Sequence, residues 1–169
     1  YWLWIGLAVA VLFARPIALT RRVGMAVIAL ALAAREEGWH KKFTADSLFK
    51  SDYYQMTDVP IAEKVVAGAV VLALTALLLW LLAIGGRRLF WEGGWRRPWG
   101  WVTLFGVFLS PVLKVFDRAP SILSHRFDIV LPNASDMLLQ AFEEGFEMAL
   151  PVIFLFALVL FLREPQRPR

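Results

Sequence analysis

NASDMLLQAFEEGFEMALPVIFLFALVLFL, residues 133–162, decides how this chain is read. Its second half is apolar, with no charge after Glu147 until Arg163. Its first half carries Glu143, Glu144 and Glu147 directly ahead of that run. A helix built from it places three carboxylates at, or just inside, the edge of a bilayer, where charged side chains are costly and need partners. The rest of the chain is therefore read for the helices that supply them.

Working outward, residues 65–84 are twenty positions without a charge, enough at about 1.5 Å per residue to cross a hydrocarbon layer of about 30 Å. Asp58 and Pro60 mark the start of that helix, and Gly85-Gly86 is expected to end it. Residues 98–116 form another span, with Pro111 inside it and Lys114 near its far end. The linking stretch LFWEGGWRRPWGW interleaves Trp91, Trp95, Trp99 and Trp101 with Arg96 and Arg97, a mixture that suits a headgroup layer rather than a nucleic acid. Residues 1–14 are apolar and begin with Trp2 and Trp4; either residues upstream of Tyr1 or the segment Pro16 to Leu19 is expected to complete that helix. Residues 23–34 are short and rich in small residues, and to span they must continue through Arg35, Glu36 and Glu37 towards His40, the alternative being a re-entrant helix. Residues 40–60 and 117–132 are expected as exposed loops.

The sequence thus predicts an all-α polytopic membrane protein, one domain of five transmembrane helices over residues 1–19, 23–40, 61–84, 98–116 and 137–162. Composition agrees. The chain is 59% hydrophobic and 19% charged, whereas soluble domains run about 45–50% apolar and about 25% charged. There is no cysteine, which excludes disulfides, thiolate metal sites and cysteine nucleophiles. The first residue is Tyr, so the natural start is expected to lie further upstream.

On this scheme one side holds ten basic residues against Glu92 and Glu164, a balance of +8. The other holds eight basic residues against twelve acidic ones, a balance of −4. The positive-inside rule makes the first side the cytoplasm, with the C-terminus inside and the N-terminus and both longer loops outside. The sign alternates at every loop, which supports five helices; a three- or four-helix chain is expected to spoil it.

This topology brings the outer ends of helices two, four and five to one depth: Arg35, Glu36, Glu37 and His40; Lys114, Asp117 and Arg118; Gln140, Glu143, Glu144 and Glu147. Glu143, Glu144 and Glu147 share a broad helix face by their three- and four-residue spacing. The first reading is an ion-pair network pinning three helices at the interface. A second is a divalent-metal site, since Glu37-x-x-His40 has the spacing of carboxylate-bridged di-iron bundles and Glu144 with Glu147 adds oxygens; those bundles use two such motifs and this chain has one. A third is a proton or ion route through the same carboxylates, which would stop at the outer leaflet because residues 148–162 carry no ionisable group. Ser121, Ser124, His125 and Asp128 crowd one loop but lack a nucleophile-elbow motif. No Walker A, dinucleotide fingerprint or His-Glu-x-x-His motif is present.

The expected function is that of an accessory or structural component of a bacterial-type inner membrane. It would be embedded in the lipid bilayer and in contact with other membrane proteins or with itself, through small-residue stripes such as Ala69-x-x-x-Ala73. No cofactor is expected beyond that divalent metal. The alternative is a membrane metal-dependent enzyme or an ion- or proton-handling protein.

Overall fold

The computed structural model of the chain describes residues 1–39, 59–127 and 133–164, with side chains throughout except at 117–121, 123–127, 133–136 and 143. Among the described residues it is helical, without strands. The helices are α1 (Trp2–Leu12), α2 (Leu19–Glu36), α3 (Ile61–Gly86), α4 (Pro98–Phe127) and α5 (Asn133–Arg163). Three stretches are long and apolar enough to cross a membrane: Ile61–Trp91, Pro98–Phe116 and Met137–Arg163. The chain divides into two compact units, Tyr1–Glu92 and Gly93–Arg169.

In the first unit α1 and α2 form an antiparallel hairpin. Its 11 residues make α1 only about 16 Å long. The helix expected to reach Leu19 stops at Leu12, because Pro16 lacks an N–H and pushes Arg15 out of the helical region. The Arg22 guanidinium then donates from Nη1 to the Leu12 carbonyl at 2.8 Å, satisfying one of the acceptors exposed by that ending. The small residues of α2 face inward: Ala26, Ala29 and Ala33 are buried, as are Trp4, Leu7, Ala8 and Val11 of α1. Gly24 lies against α3, where a Cβ would sit 3.2 Å from Leu77 Cδ1 and 3.4 Å from Trp80 Cζ3.

The second helix also ends early. It closes at Glu36, and Gly38 adopts a left-handed backbone with φ of 69°, the usual device for stopping a helix. By contrast α3 runs through Gly85-Gly86, where an end was expected. It widens into a π-helical turn over Arg87–Trp91 and stops only at Gly93, whose φ is 72°. A glycine inside a helix costs about 1 kcal/mol but does not terminate it; termination needs the left-handed geometry that Gly93 supplies.

In the second unit α4 and α5 pair antiparallel. Trp99 meets Phe161 edge-on at 5.5 Å between ring centres. Gly106 lies beneath Ile153 and Phe154, and Lys114 meets Glu147. Each step of seven or eight residues up α4 is matched by seven back along α5, so the register holds over the whole contact. The hydroxyls of Thr103 and Ser110 donate to carbonyls four residues earlier, at 2.8 and 3.0 Å, so neither leaves a polar group bare in an apolar helix. The fourth helix continues past Phe116, through residues 117–127 expected as loop. Lys114, Asp117 and Arg118 end the apolar run but do not break the backbone ladder. The other expected loop, 40–60, lies outside the described residues except for Val59 and Pro60.

Gly100 marks the tightest backbone approach: a Cβ there would collide with the Gly94 carbonyl of the 3-10 turn Gly94–Arg96. Gly6 has open space around it. Gly100→Ala is therefore expected to destabilise the protein by about 1–3 kcal/mol. Gly6→Ala should be neutral or gain up to about 1 kcal/mol from helix propensity. Thermal denaturation in detergent checks the contrast, and equal shifts for the two would refute the close approach.

Candidate functional site

A charge inside a membrane helix costs about 2.5–3.5 kcal/mol by insertion scales, so the arrangement of polar groups along α4 and α5 is the first thing to establish. The Lys114 ammonium donates to Glu147 Oε1 at 2.9 Å. Both side chains are about one third exposed, at 39% and 33%. Pro151 is fully buried one turn beyond Glu147 and withdraws the N–H that the Glu147 carbonyl would otherwise accept. On the same helix Gln140 Nε2 donates to Glu144 Oε1 at 3.3 Å, an exposed contact that leaves Glu144 facing outward.

A second polar contact closes the other end of the same pair. Glu164 Oε2 accepts from Trp99 Nε1 at 2.9 Å and from Arg97 Nη1 at 2.8 Å. Indole N–H groups need a partner when partly buried, and here that partner also neutralises a guanidinium. Sequence reasoning missed this contact. The pairing of Lys114 with Glu147 in an antiparallel register points to it, because fifteen residues back along α4 lies Trp99 and seventeen on along α5 lies Glu164.

Glu36 takes part in a separate contact within the first unit. Its carboxylate accepts from Trp4 Nε1 at 2.6 Å. That partner is on α1, which sequence reasoning had not assigned to the cluster. Arg35 is exposed beside it. Glu37 sits at the C-cap of α2, and the left-handed Gly38 interrupts the helical register that a Glu-x-x-His motif requires.

Of the polar groups expected to meet at one depth, Glu36 contacts α1 within the first unit, and Lys114 contacts Glu147 within the second. His40 lies outside the described residues, as do Asp128 and the side chains of Asp117, Arg118, Ser121, Ser124, His125 and Glu143. Among the described residues no three of His, Asp and Glu gather closely enough to hold a metal ion.

Removing one partner of the Lys114–Glu147 pair leaves the other charge uncompensated. Lys114→Ala and Glu147→Ala are each expected to cost at least about 1 kcal/mol in detergent or bicelles. The double variant should lose less than the two singles together, by about 0.6–1.7 kcal/mol. Strict additivity would show that the two groups do not stabilise each other.

No family model, no curated protein and no solved structure matches the chain. The functional reading rests on the contacts above.

Proposed function

We propose that this is a five-helix protein of a bacterial-type inner membrane, acting as an accessory or structural subunit held against other membrane proteins or a second copy of itself. The observation that supports it best lies within the first unit, where α1 and α2 leave most of α3 uncovered: Val65, Val66, Leu72 and Leu79 are all at least 60% exposed. Water cannot cover such a surface. Lipid covers part of it on this reading, and a neighbouring helix the part where Ala69 and Ala73, both exposed, allow close backbone approach. The proposed orientation follows the charge count, with the N-terminus and the 40–60 segment outside and the C-terminus in the cytoplasm.

The absence of cysteine allows a direct test of the orientation. Single cysteines introduced as Thr20→Cys and Ser51→Cys should react oppositely with a membrane-impermeant maleimide on intact cells. Ser51→Cys is expected to label from outside, and Thr20→Cys only after the inner face is opened. Labelling of both from outside would leave three spans rather than five. The subunit reading predicts that purification from native membranes in mild detergent brings other membrane polypeptides, or a second copy, at fixed stoichiometry. Ala69→Leu with Ala73→Leu should release them. A lone chain carrying stoichiometric metal would favour the enzyme reading instead.

A further inference from the structure

Within the second unit the outward-facing side chains of α4 and α5 frame a shallow, open groove of about 550 Å³, lined by Trp101, Val102, Phe105, Val152, Ile153 and Phe156. Every one of these side chains is hydrocarbon or aromatic, so the groove offers an occupant no hydrogen bond except at the tip of Trp101. Its charged groups stand at one end. The Trp101 backbone N–H donates to the Arg97 carbonyl at 3.2 Å, which places Arg97 one turn from the groove on the side of the α4 N-terminus. On α5, Arg163 follows Phe156 by seven residues and Val152 by eleven. At 3.6 residues per turn those steps are close to two and three whole turns, so Arg163 shares the groove-lining face.

The charges at this end do not cancel. Three arginines, Arg96, Arg97 and Arg163, stand at these two helix ends against one acid, Glu164, which Arg97 and Trp99 engage. The Arg96 guanidinium stands 5.0 Å over the Trp95 ring. Arg163 is exposed and makes no ion pair among the described residues. An apolar trough leading into an excess of guanidinium groups matches an acyl chain joined to a phosphate. A neutral apolar helix would fill the trough and leave the guanidinium groups unanswered, and a soluble anion would leave the trough empty.

We infer that this end of the α4–α5 pair binds one anionic phospholipid, its acyl chain in the groove beside Phe105 and Phe156 and its phosphate on Arg96, Arg97 and Arg163. The inference rests on the membrane reading proposed above. The positive end of the α4 dipole lies at the same place and adds to the attraction.

The test uses the full chain purified in a neutral detergent, with native mass spectrometry reading retained lipid. Phosphatidylglycerol should be retained about tenfold more than phosphatidylcholine of the same acyl chains. In the double variant Arg96→Gln with Arg163→Gln that preference should vanish, while helix content and melting temperature without added lipid stay as in the parent. Val152→Phe, which narrows the groove and keeps the arginines, should reduce retention by a second route. The inference is overturned if the parent shows no preference, if the arginine variant keeps it, or if glycerol phosphate displaces the lipid as well as another phospholipid does. It is also overturned if a photoreactive residue at position 156 crosslinks to a polypeptide rather than to lipid in native membranes. Alkaline extraction of those membranes separates the two readings. Release of the protein into the supernatant defeats the membrane reading itself, whereas a pelleted protein without lipid preference defeats only the site.

Discussion

Two polar contacts, Lys114 with Glu147 and Glu164 with Arg97 and Trp99, set the register on which the second unit depends. Along α4 the interval from Trp99 to Lys114 is about 22 Å, and along α5 from Glu147 to Glu164 about 26 Å. Neither interval contains a charge apart from Arg163 beside Glu164. A bilayer core is about 27–30 Å thick, so the two contacts fall at its two edges or a little inside them. Sliding one helix by a turn would unpair both contacts at once, with hydrocarbon rather than water beside the freed charges. A single ion pair would stabilise the helices; two at this spacing also choose their alignment.

Between those contacts, packing has to come from shape, because lipid tails are as apolar as the side chains they would replace. The chain meets this with small residues. Gly106 lets Phe154 approach until a Cβ would stand 2.9 Å from its ring. Pro151 brings a compact ring into the interior. The first unit uses the same device with Ala26, Ala29 and Ala33 against α1 and Gly24 against α3. The long apolar helix α3 is the exception within that unit, since Ala69 and Ala73 are exposed.

The sequence made the helices legible where uncharged runs were long, about 33 Å over residues 65–86 in α3 and about 22 Å over residues 148–162 in α5. It was less informative about where helices stop. Gly85-Gly86 looked like an ending and was not, because the terminating geometry resides at Gly93; Gly38 ended α2 one residue after its carboxylates. Charges at 114–118 closed the apolar stretch of α4 but not its backbone. The Lys114–Glu147 pair could be anticipated because both groups lie at the end of apolar runs. Trp4 with Glu36 and Trp99 with Glu164 could not, because tryptophan in a membrane sequence reads first as an interfacial anchor, and its N–H partner appears only once the antiparallel register is known.

That register also bears on how many helices cross. The uncharged part of α2, residues 23–34, is about 18 Å long, shorter than a hydrocarbon layer. A hairpin inserted tip-first from outside and stopping halfway would put Arg15, Arg21 and Arg22 in hydrocarbon, at about 2.5–3.5 kcal/mol each. Two arrangements avoid that cost. Either the hairpin crosses a locally thinned bilayer and its arginines snorkel to the inner surface, which keeps Gly24 against Leu77 and Trp80 about 24 Å along α3 from Ile61, or it lies flat outside with Trp2, Leu3 and Phe13 turned to the lipid and gives that packing up. The second arrangement moves three positive charges outward and leaves +5 inside against −1 outside, so three spans keep the sign of the bias that five spans show. An antiparallel hairpin returns the chain to the side from which it left. The orientation proposed for α3, α4 and α5 is therefore the same in both arrangements, and the lipid site inferred at the inner end of α4 and α5 does not depend on whether α1 and α2 cross.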